Sequence, residues 1–331
     1  MTRRAILPPL LLMLLGPVAC ATQRDIARQI DSATGTLLRF VNVGENSVGI
    51  FDHDKLVLVY NFGPIHAPTG ATTRPTEPHY DYIHPLYGLD GEVLTDDFPA
   101  DHVHHRGVYW AWPHVKVGDE QYDLWSLRGI HCKVLDGQLH INAASLQLTN
   151  GWFVGDKQVM REAVRLVVHP ATADSRAVDL ELTWTPTDQP VTLSGAEGKS
   201  YGGLALRFGP RKTTVITTPT TRATTPQQDL VVTKLPWADL SGDLAGKGKM
   251  SGAAVFVSSD HPDFPPTWMT RNYGMLAVGW PGVSPRTIAP GETVTCRYRI
   301  WIHRGSPSAV EINNAYEQYR AGQKHEPTTV P

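Results

Sequence analysis

From about residue 36 onward the chain alternates apolar and polar residues with a period of two. Val178, Leu180, Leu182 and Trp184 fall on one side, and Asp179, Glu181 and Thr183 on the other. Val294, Cys296, Tyr298, Ile300 and Ile302 alternate in the same way with Thr295, Arg297 and Arg299. Strict alternation marks antiparallel strands with one buried face. Shorter runs at Leu38 to Val43, Ser47 to Phe51 and Lys55 to Tyr60 open the series. Gln138 to Thr149 and Lys157 to His169 read as long partner strands. Asp90-Gly91 and Asp136-Gly137 predict two-residue hairpin turns. Thr213 to Pro226 reads as a strand plus an exposed loop, and Asp239 to Lys249 as a surface loop.

Helical spacing is confined mainly to the C-terminus. Ser308 to Glu311 form a capping box behind Pro307, and Ile312, Ala315, Tyr316 and Tyr319 then share one face. A second, short helix is expected at Arg24 to Ser32. No repeat of fixed period is visible, which disfavours propellers and solenoids. The expected fold is all-β: one large antiparallel β-sandwich over residues 36–305, with a helix at 306–323 packed on its outside.

Composition agrees. Hydrophobic residues make up 41% of the 331 positions and charged residues 19%, which suits a globular chain with a real core. The 26 prolines and 29 glycines are aperiodic and punctuate short strands. The formal net charge is −2, and no basic stripe is present, so nucleic acid is not an expected partner.

Residues 1–20 read as a signal segment: Arg3 and Arg4, then a short apolar stretch from Ala5 to Ala19 interrupted by Pro8, Pro9 and Pro17. Ala19-Cys20-Ala21 is an A-x-A cleavage site that would release a soluble protein. Val18-Ala19-Cys20 instead resembles a lipobox that would leave Cys20 lipidated. Either way the expected location is outside the cytoplasm, periplasmic or lipid-anchored at the cell envelope, with the membrane met only through this segment. Cys132 and Cys296 are then the remaining cysteines and read as buried free thiols rather than a disulfide framework.

The densest chemistry lies in Tyr82-Ile83-His84-Pro85-Leu86-Tyr87-Gly88 and Asp101-His102-Val103-His104-His105-Arg106-Gly107. Imidazoles suit proton transfer near neutral pH, and Arg106 suits a developing negative charge. His102 and His104 are two apart, so on an extended chain they face one way. That pairing is also the motive for an alternative divalent-metal reading. Tyr109, Trp110, Trp112, Tyr122 and Trp125 supply aromatic faces of the kind that pack against a sugar ring. Two further constellations are Ser200-Tyr201-Gly202-Gly203 through Arg207, and His261-Pro262-Asp263 with Trp268, Arg271, Asn272 and Tyr273. There is no phosphate loop, dinucleotide fingerprint, zinc-protease helix or nucleophile elbow.

Together these stretches resemble a bacterial family known as PmoA-like, often labelled methane oxygenase. Further matching segments are Asp97-Phe98-Pro99, Tyr201 to Leu204, Arg271 with Tyr273-Gly274, and Ala289 to Thr293 before Tyr298-Arg299. The chain departs from the pattern at Val108-Tyr109, where the family favours Leu-Trp. The resemblance implies a galactose-mutarotase-like β-supersandwich. The oxygenase label sits badly with a chain that has no series of membrane-spanning segments.

The expected function is an exported carbohydrate-active enzyme, a hydrolase, lyase or epimerase, working by histidine acid–base chemistry. His102 and His105 are expected to move protons, with His84 orienting and Arg106 stabilising charge. Trp110, Tyr201, Arg207, His261, Asp263, Trp268 and Arg271 are expected to bind the carbohydrate, and Asp101 or Asp263 to fix a histidine tautomer. No cofactor is expected, a divalent metal on His102 and His104 being the alternative. The competing reading is a non-catalytic carbohydrate-binding module with Trp110, Trp112 and Trp268 as stacking platforms.

Overall fold

The computed structural model describes residues 38–70, 76–140, 145–220, 222–224 and 229–323. The signal segment, Cys20 and the Arg24 to Ser32 helix lie outside these residues.

Strands follow one another from Leu38 to Arg304, and every strand pairing is antiparallel. One nine-stranded sheet begins with Leu38–Gly44, Ser47–Asp52, Lys55–Asn61, Tyr82–Leu86 and Val108–Ala111. It continues through Gly203–Arg207, Met275–Gly279, Thr267–Arg271 and Thr233–Lys234. The second nine-stranded sheet has at its centre Ser251–Val257, Val294–Arg304, Ser175–Pro186, Lys157–Val168 and Ser145–Val154. A four-stranded sheet contains Arg286–Ile288, Val191–Ser194, His114–Val117 and Glu120–Tyr122.

The alternation read from the sequence is the pattern of burial. Val178, Leu180, Leu182 and Trp184 are buried on one strand, and Val294, Cys296, Tyr298, Ile300 and Ile302 on its neighbour. Each such side chain taken from water contributes about 1.5–3 kcal/mol. The two large sheets face each other across these residues. Trp112, just past the end of strand Val108–Ala111, brings its ring to 5.5 Å from the Trp152 ring and 5.1 Å from the Trp184 ring of the second sheet.

A carboxylate lies at the centre of this core. Glu162 is fully buried, and its Oε2 accepts indole N–H bonds from Trp110 (2.9 Å), Trp152 (3.1 Å) and Trp184 (2.7 Å). Asn150 donates to Oε1 at 3.1 Å. Asp81 lies beside Glu162, and burial together with that neighbouring carboxylate holds its carboxyl well above the usual range. Tyr60 donates its hydroxyl to Asp81.

The C-terminal helix, Ala309–Gln323, is capped as its sequence specifies. Ser308 N–H donates to Glu311 Oε2 (2.7 Å), and Glu311 N–H returns to Ser308 Oγ (3.3 Å). Its buried face, Ile312, Tyr316 and Tyr319, packs on Trp237, Ala254 and Phe256, covering the outer side of the second sheet.

Three expectations are corrected. Asp136-Gly137 is no turn: both residues lie inside the strand His131–His140, opposite Thr149 and Leu148. The pairing register shifts between Val134 and Asp136, so the glycine belongs to an irregular stretch of strand. The run from Gln138 to Thr149 therefore belongs to two strands, His131–His140 and Ser145–Val154. Asp239 is not in a loop either. It lies in the buried strand Trp237–Gly242, where His303 Nε2 contacts its carboxylate at 2.7 Å. The turn starts only after Gly242, where Asp243 accepts the N–H groups of Lys247 and Gly248. Asp90-Gly91 does form a tight turn, with Gly91 at φ +85°. Cys132 and Cys296 are buried free thiols.

Candidate functional site

Three segments far apart in sequence meet at one end of the first sheet. The first is the histidine loop between Thr95 and Gly107. It is closed at its base by an antiparallel bridge between Asp97 and Arg106 and by Gly107 N–H on Asp96 O (2.7 Å). Gly107, at φ +46°, presses against the strand Tyr82–Leu86, where an added Cβ would lie 2.0 Å from Ile83 O. The second is the end of Gly203–Arg207, tied to the loop by Arg207 N–H on Gly107 O (2.8 Å). The third is the hairpin tip at Asn272, Tyr273 and Gly274, where Phe208 N–H donates to Gly274 O (2.8 Å).

Within the loop the backbone is turned rather than extended. His102 N–H donates to Pro99 O and His105 N–H to His102 O. His102 and His104 therefore do not face one way; their rings are edge-on, 80° apart and 5.9 Å between centroids. The turn stacks His102 on His105 instead, 4.6 Å apart and 2° from parallel. Tyr273 covers His102 at 4.9 Å. Among the described residues, no three His, Cys, Asp or Glu side chains are placed to hold one metal ion.

Behind this stack run the charges. Arg207 donates from Nη2 to Asp101 Oδ1 at 2.7 Å, and Asp101 Oδ2 lies 3.0 Å from His102 Nδ1. Partial burial would raise the Asp101 carboxyl, but His102 and Arg207 beside it bring it below the usual range. The Arg207 side chain is 6% exposed, whereas those of Asp101 and His102 are 45% and 37% exposed. Arg106 is buried over the Tyr109 ring at 4.6 Å and bonds the carbonyls of His104 and Trp125. Burial, then the charges of His102 and Arg106, push His104 down to about 4. Burial and the neighbouring imidazoles and guanidinium groups hold His105 far lower. Both rings are neutral at pH 7.

Several expected residues belong here. Tyr201 packs at 4.6 Å from Trp125, whose ring in turn meets His105 edge-on. Arg271 is at the rim, 3.6 Å from Asp229. His84 sits at the foot of the loop, its Nδ1 3.0 Å from Thr95 Oγ1, with its ring held below the ordinary value by burial. Others do not belong. Trp110 is 3% exposed and committed to Glu162. Trp268 is fully buried, its indole N–H on Leu235 O at 2.7 Å. Neither can stack on a sugar. His261 is buried against Tyr298 and Trp280, and Asp263 is exposed beside it. That motif packs against strand Val294–Arg304 and touches no member of the histidine cluster in these ring contacts. His105 belongs to the cluster but lies beneath His102, at 2% exposure.

Sequence reading missed a second layer. His79 is buried, with Nδ1 2.7 Å from Asp97 Oδ1 and its ring stacked on Phe98 at 3.6 Å. Tyr82 donates to the other oxygen of Asp97 at 2.6 Å. This triplet braces the base of the histidine loop. A lone histidine before a tyrosine gives no pattern to find, though Asp97-Phe98-Pro99 marked the partner.

The chain belongs to a family of unknown function (DUF6807), whose model matches residues 48–317. The family's description names no oxygenase or other activity. No curated protein matches the chain. Among solved structures, one named as a polysaccharide lyase is similar at a TM-score of 0.34 and 12% identity, over 83% of this chain and 33% of that one. This chain thus spans about a third of that protein's length. A likeness that loose carries no argument about what this chain does.

Proposed function

We propose that the protein is an exported carbohydrate-active enzyme whose proton-transfer group is His102. The observation that carries this reading is the row Arg207–Asp101–His102. A buried guanidinium fixes a carboxylate, the carboxylate faces Nδ1 of the imidazole, and Nε2 is left for a substrate. Asp101, 3.0 Å from Nδ1, is close enough to favour one tautomer, and His105 and Tyr273 pack against the His102 ring at 4.6 and 4.9 Å. His105 is thereby a support rather than a second proton carrier. The faces of Tyr273 and Tyr201 suit the apolar side of a sugar ring, and Arg271 and His104 suit its hydroxyls.

Buried donors nearby add support. His102 Nδ1, His105 Nδ1, Arg106 Nε, the Tyr109 hydroxyl, and Arg207 Nε and Nη1 have no hydrogen-bond partner, the 3.0 Å approach of Asp101 to His102 being a charge contact and not an aligned hydrogen bond. Native proteins satisfy nearly all such groups, and their exceptions concentrate where ligands and chemistry do. The binding-module reading loses its platforms, since Trp110, Trp112 and Trp268 are all buried.

The test is a turnover screen on pooled oligosaccharides and 3-keto-glycosides with wild type, His102→Ala and Asp101→Asn. The expected result is turnover by wild type, loss in His102→Ala, and a drop of about 10²–10⁴-fold in kcat for Asp101→Asn. Turnover that survives His102→Ala would remove the assignment.

A further inference from the structure

At the other end of strand Lys55–Asn61 the sandwich holds a cavity of about 390 Å³. Its walls are Lys55, Leu56 and Val57, the turn from Tyr87 to Gly91, and Arg176 from the facing sheet. It shares no residue with the histidine site. The size falls in the range of small-ligand pockets, roughly 300–1,000 Å³.

Its two halves differ in chemistry. Leu56, Val57 and Leu89 give an apolar wall, with Tyr87 alongside. Lys55 and Arg176 give two cations. Arg176 is tied on one side only: Nη2 donates to Asp52 Oδ2 at 2.5 Å, while Nη1 is buried with no partner. The Arg176 side chain is 10% exposed. A guanidinium nitrogen taken from water and left unbonded is costly, and an acceptor brought by a ligand relieves it. The acid in the wall, Asp90, is already engaged by Arg304 at 2.7 Å. Asp52 pairs with Arg176, Arg304 pairs with Asp90, and Glu92 accepts the Asp90 N–H at 3.1 Å, so these charges cancel and what the lining offers is two unmet donors, Lys55 Nζ and Arg176 Nη1. Such a lining favours an anion over a cation and asks for an apolar face on the same molecule.

We propose that this cavity is a second ligand site, built for a sugar acid: its carboxylate meets Arg176 and Lys55, and its ring lies on Leu56, Val57 and Leu89. The site is independent of the reaction proposed at His102. A neutral sugar lacks the acceptor charge, and a bare inorganic anion leaves the apolar wall uncovered.

The experiment is a titration of the full chain with D-glucuronate, D-glucose and inorganic phosphate, followed by calorimetry or NMR. Leu89→Trp fills the cavity from a turn at a side chain only partly buried against the core, and Lys55→Gln removes the exposed cation. Glucuronate is expected to bind at least about tenfold more tightly than glucose or phosphate. Leu89→Trp should abolish that binding, Lys55→Gln should weaken it by about three- to tenfold, and His102→Ala should leave it unchanged. The proposal is overturned if glucuronate does not bind, if glucose or phosphate binds equally well, or if Leu89→Trp has no effect. Glucuronate binding that is lost in His102→Ala and kept in Leu89→Trp would place the acid at the histidine site and overturn it too.

Discussion

The two stacked histidines differ in burial, and their replacements should separate accordingly. His105 is 2% exposed and packed between His102, His104, Tyr109 and Trp125. Its replacement by alanine opens a cavity and should destabilise the protein by about 1–3 kcal/mol. The half-exposed His102 can lose its ring for less than about 1 kcal/mol while activity disappears. Thermal unfolding beside a turnover assay distinguishes the two, and equal destabilisation by both changes would refute the layering. His104 supplies a pH signature. Its folded value near 4 lies below the ordinary imidazole value of about 6.5. Between those values the unfolded chain takes up a proton that the folded chain refuses. The stability from neutral His104 is complete above about 6.5 and falls as the solution is acidified toward 4. His261, also pushed down to about 4 by burial, acts in the same direction. Asp81, held protonated in the core, acts in the opposite direction. The test is therefore differential: His104→Gln should gain in Tm relative to wild type between pH 7.5 and 4.5. A constant difference across that range would mean that His104 titrates normally.

At the scale of elements, the strands were legible because one buried face imposes a two-residue period. Leu180 lies in the middle of such a strand at 1% exposure, opposite Leu166 and Tyr298. Leu180→Ala should cost about 2–5 kcal/mol, read as a lower denaturation midpoint with the slope unchanged. The helix was legible for a different reason, since its cap is written into four consecutive residues. Ser308→Ala removes the hydroxyl that caps Glu311 N–H and should cost about 0.5–2 kcal/mol, seen as faster amide exchange in the first helical turn. Aspartate-glycine pairs were a weaker guide. The same dipeptide makes a turn at Asp90 and lies in a strand at Asp136, because the partner strand Ser145–Val154 decides between them. The site was half legible. The cluster His102 to Arg106 was visible as a run of costly polar residues. That Arg207 and Tyr273 would join it, and Trp110 and Trp268 would not, depends on which strands become neighbours. The order Val108–Ala111, Gly203–Arg207, Met275–Gly279 joins pieces more than 60 residues apart, which no local pattern encodes.

At the scale of the whole molecule, one of the four hydrogen bonds described on Glu162, that from Trp110, crosses between the sheets. Trp110 belongs to one large sheet, while Glu162, Trp152, Trp184 and Asn150 belong to the other. Glu162→Ala would strand three indole N–H groups and the Asn150 amide in the core, and should prevent folding or cost more than about 4 kcal/mol. The wild-type arrangement also dictates how the native protein breathes. If either sheet peeled away alone, Trp110 would have to give up its buried acceptor on Glu162 with no water to replace it, so small openings are penalised nearly as much as complete ones. The backbone amides of Val108–Ala111 and of Lys157–Val168 should therefore exchange with deuterium at a common free energy equal to that of global unfolding, although 45 residues of chain separate Ala111 from Lys157 and the two strands share no ladder.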